Sequence, residues 1–145
     1  MNNDASENRE KFTKKIIVQK EDIDVNGHVG NIRYLEWFID IAVAHSDSLG
    51  LGFDALKKFN RTWVAREHNI AYKQSALLGD ELLLNTWVQS VKKAQSIRQY
   101  ELLNAKTGKI ICEGWTNWVF VEIETYRPQK IPEEFISKYM QITSR

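Results

Sequence analysis

The sequence predicts an α+β domain in which an antiparallel sheet of about five strands wraps around one long central helix. Three observations carry that reading. Residues 32–49 contain neither Gly nor Pro and are apolar around most of a helical turn. Residues 62–121 switch to alternating, strand-like segments separated by short turn signals. Nothing in the chain reads as a linker, a repeat or a low-complexity tract, so one folded unit is expected.

Composition agrees. The 145 residues are 43% hydrophobic and 27% charged, within the range of a single globular domain. A chain of this size buries roughly 68–70% of its unfolded surface, enough for a core without staples. One cysteine, Cys112, and three histidines cannot assemble a disulfide framework or a four-ligand zinc cluster. No metal or cofactor is therefore expected, and a reducing, cytoplasmic setting is the natural reading. Twenty basic against nineteen acidic side chains leave a formal charge of +1, which nominates no nucleic-acid partner. The start of the chain is polar and the longest apolar runs, such as 41–44 and 118–121, are four residues, so neither a signal peptide nor a membrane span is expected.

Taken in order, the polar stretch 1–12 should be loose and residues 13–145 should form the domain. Residues 15–20 (KIIVQK) are β-branched enough for a strand, which ends at the polar, glycine-bearing segment 21–30 (EDIDVNGHVG). In the helix, Arg33, Glu36 and Asp40 fall at i, i+3 and i+7, one narrow polar stripe, so burial nearly all round is expected. Asn31 is a good N-cap type and Gly50 a good C′ type, which gives about five turns. After a helical turn near residues 53–59 come extended segments 62–74, 81–92, 96–104 and 109–121, read as sequential hairpins. In the last, Ile110, Cys112, Gly114, Thr116, Trp118 and Phe120 share one face. Pro132 should open a short terminal helix from its first turn. One sheet cannot cover such a helix alone, which points to a homodimer that extends the sheet.

The densest group of reactive side chains lies between the first strand and the helix: Glu21, Asp22, Asp24, Asn26 and His28. A helix start presents unpaired N–H groups with partial positive charge, able to hold a developing oxyanion while a neighbouring carboxylate stays ionised. A base, an amide, an imidazole and an oxyanion site within one loop suit acyl transfer to water. The plainer reading is structural, because Asn26-Gly27 is a type I′ turn signal and aspartates before helices satisfy local N–H groups. Weighing against it, the residues that follow are helical rather than alternating, His28 adds an imidazole, and the loop leads straight into the buried helix.

The segment DIDVNGHVGNIRYLEWFIDIA (22–42), followed by VAREHNIAYKQSALLGDELLLNTWV (64–88) and TYRPQKIPEEF (125–135), resembles the hotdog-fold thioesterases of the 4-hydroxybenzoyl-CoA thioesterase type over nearly the whole chain. The resemblance implies a single hotdog domain, a homodimer or tetramer, and hydrolysis of acyl-CoA, with acyl-ACP as the alternative carrier. It places the catalytic carboxylate, as nucleophile or general base, on Asp24 and the carbonyl-polarising N–H near Asn31. The related acyl-ACP thioesterases carry D-x-N-x-H here, matched by Asp24, Asn26 and His28. They also use a glutamate just after a Tyr-basic-basic run, where Tyr72-Lys73-Gln74-Ser75 has Ser75, and the plant enzymes have two hotdog units rather than one. A non-catalytic acyl-CoA-binding module is the alternative from another class.

Secondary candidates for substrate contact are Gly30 and Tyr34 at the helix start and Arg127 in the ending. Glu67 and His68 are strand neighbours that face opposite sides. His45 is expected to meet the helix C-terminal dipole, Glu36 to be solvated or to make an intersubunit contact, and Asp22 to stabilise the turn. The tryptophans Trp37, Trp63, Trp87, Trp115 and Trp118 read as core or interface.

Overall fold

The computed structural model describes residues 10–140. Strand β1 (Phe12–Ile17) leads through a single 3-10 turn (Lys20–Asp22) and a loop into helix α1 (Asn31–Ser48). A short helix α2 (Phe53–Lys57) follows, then β2 (Arg61–Tyr72), β3 (Glu81–Lys92), β4 (Gln95–Asn104), β5 (Ile110–Glu122) and α3 (Glu133–Tyr139). The strands form one antiparallel sheet in the order β1-β3-β4-β5-β2. This is the hotdog arrangement, with α1 lying in the curve of the sheet.

Tyr34, Trp37, Phe38, Ile41, Ala42 and His45 recur at three- and four-residue intervals on α1 and form its buried face. They rest on Leu82 and Leu84 of β3, Tyr100 and Leu102 of β4 and Cys112 of β5. The Phe38 and Tyr100 rings stack at 4.6 Å, almost parallel. The inward positions of β3 and β4 alternate strictly, as the two-residue period demands.

Four expectations need correction. The first strand begins and ends three residues earlier than expected, because Phe12 and Ile16 pack on the core and Ile16 pairs with Leu82; the looseness expected of residues 1–9 lies outside the described residues. Gly30, not Asn31, is the N-cap, and Pro132 likewise stands at the cap of α3 with an extended ψ of 147°. The helix is buried on one side only. Ile32 is 76% exposed, and Leu35, Ile39 and Val43 make a second apolar stripe that the single chain half covers. The segments after the helix are also not all sequential hairpins: β3, β4 and β5 are, but β2 pairs with β5 at the far edge, while β1 takes the free side of β3.

Gly114 explains the close fit of β2 on β5. A Cβ there would lie 2.2 Å from the Asn69 carbonyl oxygen and 3.2 Å from Ile70 Cα, so only glycine lets the two backbones approach this closely.

Candidate active site at the start of the long helix

The loop before α1 is anchored by Asp22, which is only 6% exposed. Its Oδ2 accepts the Gln19 N–H at 2.8 Å and its Oδ1 accepts Arg33 Nε at 2.7 Å, tying the 3-10 turn to the first turn of α1. Asp22 is thus the turn-stabilising residue the sequence implies. Arg33 also reaches Glu36 at 2.9 Å, and Glu36 stays solvated on the polar stripe. Beyond Asp22 the backbone folds back on itself. Ile23 bridges Val29, the Asp24 N–H donates to the His28 carbonyl, and the Gly27 N–H donates to the Asp24 carbonyl with Gly27 at a φ of +84°. The Asn26-Gly27 turn signal is therefore realised as a miniature hairpin even though a helix follows, because two residues, Val29 and Gly30, suffice to leave the bridge and start α1.

Asp24 is exposed in the single chain. Its Oδ1 accepts the Asn26 N–H at 2.8 Å. Its Oδ2 lies over the N-cap glycine, where a Cβ on Gly30 would be 3.5 Å from Oδ2 and 3.4 Å from Asp24 Cβ. The Gly30 N–H is taken by the Asp22 carbonyl and the Arg33 N–H by the Gly30 carbonyl. Among the described residues no acceptor meets the N–H of Asn31 or Ile32. The carboxylate therefore stands at the positive end of an 18-residue helix beside unengaged donors.

His28 is half-buried, its Nδ1 3.2 Å from the Val29 carbonyl oxygen. Donation from Nδ1 leaves Nε2 as the acceptor nitrogen. His28, Asn31, Tyr34, Tyr72 and Ser75 line one cleft of about 150 Å³. The Tyr72 hydroxyl donates to the Asn31 carbonyl at 3.2 Å, and the Tyr34 hydroxyl accepts the Ala76 N–H at 3.1 Å. Burial pushes both hydroxyls above their ordinary pKa. Ser75 thus arrives beside His28. Asn26 contributes its backbone to Asp24 rather than a wall of the cleft. Arg127 does not join this group within one chain. Its carbonyl accepts the Glu122 N–H beside the Arg61 end of β2, whereas the site meets the Tyr72 end, roughly 35 Å away along twelve strand residues.

A second cleft runs beneath the C-terminal half of α1, among Ser46, Leu51, Trp63, Val88, Arg98 and Trp118. Arg98 was not among the candidates, although its parity with Ser96, Tyr100 and Leu102 marks it as inward-facing. It is 3% exposed, and its Nη1 donates to His45 Nδ1 at 2.9 Å and to Thr86 Oγ1 at 3.1 Å. His45 accordingly does not serve the helix dipole. It is buried, and desolvation together with the Arg98 charge holds it down to about 4. On β2, His68 Nδ1 pairs with Thr116 Oγ1 at 2.8 Å, and Thr116 also receives the Tyr100 hydroxyl, a structural chain across the sheet.

Among the described residues no helix is long and apolar enough to cross a membrane. Residues 9–139 match the family model of the acyl-ACP thioesterase N-terminal domain. An oleoyl-acyl carrier protein thioesterase of Arabidopsis thaliana is 25% identical over 136 residues, 89% of this chain but 37% of that protein. The matches thus span from 23% to 37% of the length of the plant relatives. The long-chain acyl-CoA thioesterase of Escherichia coli is 24% identical over 131 residues, 88% of this chain and 96% of that one. Among solved structures, a 1,4-dihydroxy-2-naphthoyl-CoA thioesterase from Synechocystis superposes with a TM-score of 0.82 at 18% identity, covering 90% of this chain and 96% of that one. An acyl-ACP thioesterase from Bacteroides thetaiotaomicron gives 0.78 at 21%, covering 90% and 52%. The match over residues 9–139, on the strand order described above, places this chain in the acyl-ACP thioesterase N-terminal domain family.

Proposed function

We propose that this chain hydrolyses acyl thioesters to a free acid and a thiol, acyl-CoA being the first substrate to test and acyl-ACP the second. The observation that carries the proposal is the Asp24 carboxylate over Gly30, beside the unengaged Asn31 N–H. With Asp24 as general base, it takes a proton from water, and the oxygen attacks the thioester carbonyl. The Asn31 N–H holds the resulting oxyanion, and the leaving thiolate recovers the proton from Asp24. With Asp24 as nucleophile, its oxygen displaces the thiolate to form a mixed anhydride that water then opens. Oδ2, which makes no hydrogen bond among the described residues, is the oxygen open to either task. His28 and the Asn26 amide orient carboxylate or water.

The carrier divides the support. Relatives named for acyl carrier protein and for acyl-CoA both match. The D-x-N-x-H loop favours the first, and Ser75 in the cleft, in place of a glutamate, favours the second. The same reading includes a homodimer or tetramer. The edge strand β2 exposes its middle, residues 65–69, and the second stripe of α1 is only half covered in one chain, so a partner copy would extend the sheet and enclose the exposed Asp24.

The test is thiol release from short, medium, long and aromatic acyl-CoA and acyl-ACP substrates, with light scattering on the same preparation. Asp24→Asn should retain the fold and mass and lose about 10²–10⁴-fold in kcat/KM. Trapping an acyl group on Asp24 by rapid quench selects the nucleophilic route. Unchanged turnover in Asp24→Asn removes the assignment, and ligand binding by the wild type without turnover favours the binding-module reading.

A further inference from the structure

Arg98 is a buried cation without a counter-charge. No carboxylate among the described residues lies within ion-pair distance of it, and its hydrogen-bond partners are the neutral groups His45 and Thr86. Because arginine only donates, His45 Nδ1 must accept, so the imidazole offers no negative charge either. The guanidinium sits over the Tyr139 ring at 5.7 Å, which offsets only part of the cost of its burial.

Arg98 also lines the cleft beneath α1, together with the hydroxyl-bearing Ser46, Ser96 and Tyr139 and the apolar Trp63, Val88 and Trp118. The Ser46 and Tyr139 hydroxyls bond each other at 2.8 Å. The Trp63 Nε1–H is buried, and although it acts on the Tyr139 hydroxyl it makes no hydrogen bond of good geometry. The free space is slim, about 30 Å³, less than a ring requires. The cleft thus has apolar walls and one fixed positive charge, with no anion among the described residues to meet it.

We propose that this cleft binds the carboxylate end of an unbranched aliphatic chain, with Arg98 as the group that receives the charge. The arginine fork matches a carboxylate in shape as well as in charge. The site lies some eleven to fifteen residues along α1 from Asn31, roughly 17–22 Å from the helix start. It is therefore separate from the Asp24 loop, and the inference stands without the proposed hydrolysis. Two sources present the same chemistry: a free short-chain acid, or the far end of an acyl group that itself carries a terminal carboxylate.

Tryptophan fluorescence of the full chain, with Trp63 and Trp118 in the cleft, reads binding of hexanoate, 1-hexanol and benzoate. Hexanoate should bind roughly tenfold to a hundredfold tighter than hexanol, the range expected for charge-assisted hydrogen bonds. Benzoate should bind more weakly than hexanoate. Arg98→Met should abolish the preference for the anion and Arg98→Lys should retain part of it. The comparison of hexanoate with hexanol on the wild type stands even where a variant does not fold. Adipoyl-CoA against hexanoyl-CoA separates the sources: tighter binding of the dicarboxylic thioester, lost in Arg98→Met, assigns the distal carboxylate, and hexanoate binding without that preference assigns the free acid. Equal binding of hexanol and hexanoate, or no binding of hexanoate together with no preference for adipoyl-CoA, overturns the inference. Anion binding by a protein that hydrolyses no thioester leaves the inference in place and removes the proposed activity, whereas hydrolysis without anion binding does the reverse.

Discussion

Lowering the pH from about 7 to about 5 should cost this fold about 2 kcal/mol through His45 alone. The imidazole is 8% exposed, stacked on Phe12 at 5.0 Å and edge-on to Tyr139, with Nδ1 accepting from Arg98. Protonating Nδ1 would break that hydrogen bond and set a second cation beside the first. Desolvation and the Arg98 charge hold the folded-state pKa at about 4, against 6.5 for an unperturbed imidazole. Between these values the unfolded chain binds the proton and the folded one does not, so stability is present above the window and is lost as pH falls through it. Applying the two pKa values to the proton linkage gives a contribution near zero at neutrality and about 2 kcal/mol of destabilisation two units lower. His68 is also lowered by burial and adds a slope of the same sign, as do other titrating groups, so a reference protein is required. His45→Gln supplies one, since its amide oxygen can still accept from Arg98. Urea unfolding of both proteins across this range should show the wild type losing about 2 kcal/mol more than the variant. Parallel pH profiles for the two would refute the placement of His45 as a neutral acceptor beside a charged Arg98.

Two further substitutions probe how the sheet and the loop are held. Gly114→Ala puts a Cβ into the Asn69 carbonyl, a backbone atom that cannot swing away, so β2 must lift from β5 at a cost of about 1–3 kcal/mol; an unchanged melting temperature would show that the two strands do not press together there. Asp22→Ala removes the acceptor of the Gln19 N–H and the partner of Arg33, and should cost about 1–3 kcal/mol. Hydrogen exchange at the Gln19 amide should accelerate in that variant, and protection equal to the wild type would mean that Asp22 does not anchor the turn.

Local patterns were the legible ones. The Gly- and Pro-free run between Asn31 and Gly50 located α1 to within a residue at each end, and the extended segments with their turn signals located β3, β4 and β5 with their hairpins. The placing of β2 was not legible, because its partner lies some fifty residues on and the determinant is a missing Cβ at Gly114 rather than a turn signal. The burial of α1 was overread for a related reason: hydrophobicity marks the faces that seek cover, and a single chain leaves Ile32 exposed and Leu35, Ile39 and Val43 only half covered. Arg98 was hidden by its type. A charged residue at an inward strand position reads as solvated unless its parity with Tyr100 and Leu102 is set above its charge.

At the Asp24 loop, the structural and chemical readings of the sequence looked like rivals, yet the geometry divides them between two oxygens of one carboxylate. Oδ1 closes the turn on the Asn26 N–H, which is the ordinary service of an aspartate in such a loop. That bond fixes the carboxyl plane, and the bridge between Ile23 and Val29 fixes the backbone beneath it. Oδ2 is left facing the N-cap, with only hydrogen on Gly30 beneath it. A Cβ at Gly30 would meet Oδ2 at an ordinary contact distance of 3.5 Å, and without the Asn26 N–H the carboxylate would be free to rotate away from the helix start. The turn is thus what holds the remaining oxygen in place, and pre-organisation of this kind is what a carboxylate needs to act on a substrate rather than merely to be solvated near one.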